Sequence, residues 1–338
     1  MITDIDEDFK FICSLREGKS NKEYDLWETR LFEWVKGLTT HNKIDVEKLS
    51  KFRAVGALLS EVPRNPYLHS IILKHIYGFI RFSGYKKTCH HNFEKLRFND
   101  DLIWNSFSEL GSPFYYEVDG KKFNERFLRH LRTISILEKN VTLKKDSVIV
   151  DIGGGYGQFL AMLNSKYSLT KKILIDFPEQ LLVASYYLKE LFPNCKINSV
   201  RSSYKKSFSI AESIDENDFI LVSTDQINLM DDVKADLVCN FSSFGEMSKP
   251  YFNNYMNSEL IRNAEYFFTV NRLDSFPTYN NSISILDYDL DRFKKIHLEV
   301  SPIWDFYFNS LTPFFQRKKS FSSRNFEFLG KKRYKREK

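Results

Sequence analysis

Cysteine is sparse and unpaired. The chain of 338 residues has four, Cys13, Cys89, Cys195 and Cys239, and none stands in a CxxC arrangement. That argues against a zinc ribbon or a disulfide framework and reads as reduced thiols. Long apolar runs are missing as well. The best candidate, 71–82, is interrupted by Lys74, His75 and Arg81, well short of the roughly 20 apolar residues that a membrane-crossing helix needs. The first eight residues are acidic where a secretory signal would be basic, so the expected location is the cytoplasm. Metal-ligand spacing is lacking too. His90 and His91 are adjacent, and sequence neighbours do not converge on one ion in most backbones, so no metal is expected. No internal repeat is present.

What is present favours a packed globular fold. Hydrophobic residues make up 42% and charged residues 28%, which suits a core-bearing enzyme and not a disordered chain. With 31 Phe and 18 Tyr, the aromatic load implies either a Phe-filled core or an aromatic-lined cleft. The net charge of +6 is uneven. Residues 317–338 hold ten Lys or Arg against two Glu, a net +8, which leaves −2 for the remainder. The basic character is therefore that of an expected C-terminal tail, which is solvated or weakly attracted to an anionic membrane surface. The body has no character of a nucleic-acid binder, and no specific nucleic-acid partner is expected.

Two textures divide the chain. Residues 1–115 read mainly as a helical region: 25–38 carries Trp27, Leu31, Trp34 and Leu38 at helical spacing, and 48–62 and 66–82 look similar. This region is expected to cap an acceptor site or to form a homodimer interface, and the sequence leaves both open. Gly111-Ser112-Pro113 is a break. From 116 to 316 a single domain is expected. Its helix 123–137 is followed by strands at 147–152, 172–176, 196–200, 219–223, 235–241 and 266–271, with helices at 157–166 and 178–191 between the earlier ones. Such alternation implies an α/β fold around a parallel sheet.

The run Val148 to Gln158 carries the chemistry. A hydrophobic strand ends in Asp151 and turns through Gly153, Gly154, Gly155 and Gly157 into a helix. Ligands of open α/β sheets sit at the carboxyl ends of the strands, and glycines let the backbone approach them closely. A dinucleotide-type GxGxxG would require glycine at 158, where the chain has Gln158. The pattern present is DxGxGxG. A second strand ends in Asp176, 21 residues after Gly155. A carboxylate there can accept both hydroxyls of a ribose, or cap the helix beginning near Pro178.

These residues resemble the class I S-adenosylmethionine-dependent methyltransferases. Asp151 to Gln158, followed by Ile175-Asp176-Phe177-Pro178, is similar to the glycine turn and D-x-P of small-molecule O-methyltransferases. Asp236 to Met247, with Asn240, Ser243, Phe244, Glu246 and Met247, looks like the sugar O-methyltransferases of bacterial polysaccharide gene clusters. The resemblance spans roughly 105 to 310. It implies a Rossmann-like sheet with an N-terminal helical extension, S-adenosyl-L-methionine as cofactor, and transfer of a methyl group to a sugar hydroxyl of a small-molecule or glycan acceptor. Asp151, Gly153, Gly155, Gly157, Gln158, Asp176, Asp225, Gln226 and Asn240 are then expected at the cofactor, and Arg126, His130 and Ser243 at the acceptor. One departure stands out: Gly245 occupies the place of the catalytic histidine of plant-type O-methyltransferases.

Methyl transfer to a hydroxyl calls for proton removal. Glu246, after the fourth strand, is the first candidate base, with a helix-start acid as its alternative role. His297, the only histidine after the glycine turn, is the second. Phenolic or polyketide acceptors, or a non-catalytic cofactor-binding role, are the alternatives.

Overall fold

The computed structural model describes residues 2–17, 26–53, 89–96, 100–274, 283–303 and 324–334. The expected helices at 48–62 and 66–82 lie largely outside them. Seven strands form one sheet: β1 (Val148–Ile152), β2 (Lys171–Asp176), β3 (Phe219–Ser223), β4 (Leu237–Phe241), β5 (Tyr266–Arg272), β6 (Phe293–Val300) and β7 (Asn325–Lys332), in spatial order β6-β7-β5-β4-β1-β2-β3. The β1–β5 pairs are parallel, and β7 runs antiparallel to both β5 and β6. β1 starts both directions of the sheet, so its carboxyl end is the topological switch point where open α/β sheets bind ligands.

The parallel strands are apolar on both faces because both faces are covered. On one face Ile149, Leu174, Leu221 and Leu237 join a cluster with Phe127, Leu131 and Ile134 of α3 (Glu125–Asn140), Phe159 and Leu160 of α4 (Gln158–Asn164), and Leu181 and Val183 of α5 (Pro178–Leu191). On the other, Val150, Ile152, Ile173 and Val222 pack with Phe252, Met256 and Leu260. α3 begins where its sequence says: Asn124 accepts from the Phe127 N–H at 2.9 Å, an N-cap bond. The N-terminal helices α1 (Ile2–Arg16) and α2 (Leu26–Gly37) share the first core through Ile5, Phe9, Ile12, Val35 and Leu38.

Two expectations are corrected. No strand forms at 196–200. Ile197 makes a single bridge to Phe219 and the chain turns at Val200–Tyr204. Asn198 is the physical cause: its side chain donates to the Leu221 carbonyl at 3.1 Å and accepts from the Leu221 N–H at 2.6 Å, taking the place of a backbone ladder on the β3 edge. The basic tail is not all tail either. Residues 325–332 are β7, inserted between β5 and β6, with Phe326, Phe328 and Leu329 buried.

β7 also brings a carboxylate inside. Glu327 is fully buried and sits opposite Glu299 in the β6–β7 pairing, a like-charge placement that would repel if left alone. Arg132 of α3 resolves it. Its guanidinium donates to Glu327 at 2.9 Å and also pairs with Glu299, while Ser301 Oγ donates to Glu327 at 2.6 Å. Removing one partner of a buried ion pair strands the other charge. Arg132→Met is therefore expected to destabilise the fold by about 3 to 5 kcal/mol in urea unfolding followed by circular dichroism. A loss below about 1 kcal/mol would mean that Glu327 does not depend on Arg132.

Candidate cofactor site and active centre

β1 places Asp151 in the sheet with no exposure. Among the described residues neither of its carboxylate oxygens accepts a hydrogen bond. Burial, with the Asp176 charge adding to it, pushes its pKa up to about 8. The glycine turn is shaped around this group and its neighbours. Gly153 has φ +71°, and a Cβ there would lie 2.1 Å from Ser243 Oγ. At Gly154 a Cβ would lie 2.2 Å from Asp151 Oδ2. Neither position admits a side chain, so the backbone itself forms the floor of the cleft.

Asp176, at the end of β2, ties down the same turn. It accepts the Gly155 N–H on Oδ2 and the Phe177 N–H on Oδ1, both at 2.7 Å. Burial drives its pKa up to about 7 against those two bonds. Each oxygen keeps a second lone pair, so a pair of ribose hydroxyls fits without displacing either amide. Asp225 follows β3, is exposed, and accepts from Tyr204 Oη at 2.7 Å; that hydroxyl also meets Ser223 Oγ at 2.8 Å. Gln226, half-buried beside it, breaks the short helical turn there.

Four expected contact residues turn inward instead. Gln158 is buried and its Oε1 accepts from Tyr156 Oη at 2.7 Å, so it fixes Tyr156. Asn240 is a brace. It donates to the Ile152 carbonyl at 2.8 Å and accepts from Asn271 Nδ2 at 2.8 Å and from the Phe244 N–H at 3.2 Å. Its amide is used up within the protein, and it locks the carboxyl ends of β1, β4 and β5 together. Ser243 packs against Gly153 and reaches the Ile152 carbonyl at 3.3 Å. His130 of α3 lies among the rings of Phe159 and Phe241. Burial, with Arg126 and Arg129 adding to it, pulls its pKa down to about 3, so it is neutral near pH 7.

The two base candidates separate. Glu246 ends the short turn Phe244–Glu246 just after β4, half-buried, with Arg272 at 3.6 Å. Burial raises its pKa, and the Arg272 and Arg126 charges oppose that rise. His297 is corrected. It lies on β6 opposite Leu329, which pairs with Phe268. Phe268 is four residues short of the end of β5, about 13 Å down the sheet from the cleft. There it contacts Glu327 at 3.3 Å, beside the Arg132 ion pair, and has a packing role. Among the described residues, His297, Glu299 and Glu327 are the one group whose ligand atoms converge, and the Arg132 guanidinium already serves both carboxylates.

Sequence reasoning missed four participants. Asn271 braces Asn240. Arg272 faces Glu246. Tyr204 holds Asp225. Trp27 of α2 donates to the Glu246 carbonyl at 3.2 Å. The polar Thr269 and Asn271 inside an otherwise apolar β5 were the one readable signal. The N-terminal helices are tied to the rest of the fold at three places: Asp8 accepts from the Val200 N–H at 3.2 Å, Arg16 pairs with Glu179 at 2.7 Å, and Trp27 donates to the Glu246 carbonyl.

Residues 91–220 match the model of the O-methyltransferase domain. No curated protein matches the chain. Among solved structures, a geranyl diphosphate methyltransferase in complex with S-adenosylmethionine shows 12% identity, coverage of 62% of this chain and 87% of that one, and a TM-score of 0.41. The geranyl diphosphate C-methyltransferase of Streptomyces coelicolor A3(2) shows 11% identity, 61% and 78% coverage, and a TM-score of 0.39. Likenesses of this size carry no inference about what this chain acts on. The domain match falls on the segment that contains the glycine turn and Asp176. The protein is a methyltransferase that uses S-adenosylmethionine, and the cradle, the unpartnered Asp151 and the paired amides of Asp176 fit that cofactor.

The raised carboxylates set a pH dependence. With both pKa values above the ordinary carboxylate range, the ligand-free fold holds protons that the unfolded chain has lost, so stability falls as pH rises from about 4 to about 8. An α-ammonium group bound beside Asp151 favours its ionised form, so affinity for S-adenosylhomocysteine, which carries that group, is expected to tighten between about pH 6 and about pH 8.5. Calorimetric titration should show this slope and its flattening in Asp151→Asn. An unchanged slope in the variant would assign the titration to another group.

Proposed function

We propose that the enzyme transfers the methyl group of S-adenosylmethionine to a hydroxyl of a sugar acceptor, with Glu246 taking the proton. The observation that carries this reading is the placement of Glu246. It leaves β4 beside the glycine turn, partly withdrawn from water, and faces Arg272. A carboxylate whose pKa is raised is a stronger base toward an alcohol than an ordinary surface glutamate. Arg272 steadies the ionised form, so the group stays available near neutral pH.

The cofactor supplies a methyl group on a positively charged sulfur. The new bond forms between the acceptor oxygen and the methyl carbon, the sulfur–methyl bond breaks, and the hydroxyl proton passes to Glu246. The remaining work is positional. Trp27 of α2 holds the Glu246 backbone through its bond to the Glu246 carbonyl. Asn240 and Asn271 hold the strand ends, so the base does not drift. Gly245 is buried where a phenol-directed enzyme would place histidine, which favours an alcohol acceptor served by a carboxylate. Cytoplasmic residence and a glycan-building role go with this reading.

Replacing Glu246 by Gln is expected to lower turnover by about 100-fold or more while leaving S-adenosylhomocysteine affinity unchanged. The accessible assay is the mass of surface polysaccharide from cells with the gene intact, deleted, or carrying Glu246→Gln. Loss of one methyl substituent in the latter two supports the proposal. Three identical polysaccharides, with the protein expressed, would remove the sugar acceptor, and a missing methyl in the deletion alone would remove Glu246 as the base.

A further inference from the structure

The glycine turn is flanked by two charged groups of opposite sign, and consecutive glycines face them. A Cβ on Gly154 would meet the Asp151 carboxylate, and a Cβ on Gly155 would point to Arg126 Nη1 at 3.9 Å. Asp151 is fully buried with both oxygens unpartnered among the described residues. Arg126, in the first turn of α3, is half-buried and stacks on the Tyr156 ring, with its guanidinium carbon 5.3 Å from the centroid. Tyr156 is itself immobile, having no exposure and a hydroxyl bonded to Gln158. Among the described residues Arg126 makes no ion pair. The neighbouring arginines differ: Arg129 pairs with Glu125, Arg132 with Glu327, and Arg272 faces Glu246.

An oriented, partly desolvated guanidinium beside a backbone floor is suited to a carboxylate, which it can bind through two parallel N–H donors. The cofactor carries an α-ammonium and an α-carboxylate on one carbon, so its tail needs an anion and a cation at neighbouring positions. We propose that Arg126 binds the α-carboxylate of the cofactor's methionine tail, and that it therefore belongs to the cofactor subsite and not to the acceptor subsite. The inference rests on the cofactor assignment and is independent of the sugar acceptor.

Ligand-side and protein-side changes test it together. Wild-type, Arg126→Gln and Arg126→Lys proteins are titrated calorimetrically with S-adenosylhomocysteine, with its decarboxylated amine, and with 5′-methylthioadenosine, which lacks the whole amino-acid end. Wild-type protein is expected to lose at least about tenfold in affinity when the carboxylate is removed from the ligand. Arg126→Gln should lose a similar factor for S-adenosylhomocysteine and bind the decarboxylated amine and methylthioadenosine as wild-type does. Arg126→Lys should fall between. Equal weakening of all three ligands in Arg126→Gln would make the role structural and overturn the proposal. Equal affinity of wild-type protein for S-adenosylhomocysteine and its decarboxylated amine would also overturn it, even if the variants fail to fold. Failure of wild-type protein to bind any of the three would instead remove the cofactor assignment.

Discussion

A buried carboxylate that accepts no hydrogen bond among the described residues constrains everything around it. Asp151 closes β1 at the switch point of the sheet, and an isolated charge there is costly. The fold answers by leaving the group close to neutral when no ligand is bound and by threading the glycine turn within contact of it. Gly154 cannot carry a side chain because Asp151 occupies that space, and Gly153 cannot because Ser243 does. Asp176 shares the strain through its proximity and holds the far side of the turn through two backbone amides. The cost in stability is the converse of the fit to a positively charged cofactor.

Around that group the strand ends are tied by side-chain amides. Asn240 bonds to the Ile152 carbonyl and to Asn271, while Asn271 also bonds to Thr269 and accepts from the Gly245 N–H. These bonds join β1, β4 and β5 and end at the turn that carries Glu246. Preorganisation of this kind serves a reaction in which the protein mainly orients the partners and moves one proton. The first two helices are tied to the sheet's carboxyl-end segments through Asp8 with Val200, Arg16 with Glu179, and Trp27 with the Glu246 carbonyl. Their core residues are continuous with those of the sheet.

The sequence made the central β-turn-α unit readable because three signals agree there: a β-branched strand, an acid at its end, and glycines at alternate positions. The parallel strands β2 to β5 were readable as short, mainly apolar runs alternating with helical segments. β6 and β7 were not. β6 is largely exposed, with only Phe293 buried and Ile296 and His297 half-buried, and β7 lies within a run whose dominant feature is positive charge. Burial of Glu327 depends on Arg132, nearly two hundred residues away, and no local pattern carries that. The site divides in the same way. Asp151, Asp176 and the glycines could be read because their roles follow from backbone geometry. Asn240, Gln158 and His130 could not, since the same side chain serves a ligand or a brace according to which way it points.

The strand order has a consequence for how the molecule comes into being. β6 is synthesised before β7, yet among the described residues β6 is hydrogen-bonded into the sheet only through β7, which lies between it and β5. Until residues 325–332 leave the ribosome, β5 has an open edge and β6 has no partner. A nascent chain with every cofactor residue already made is thus still an unfinished sheet, exposed to aggregation for as long as translation takes to deliver the last strand. The cleft forms early in the sequence, but its stability is conferred late.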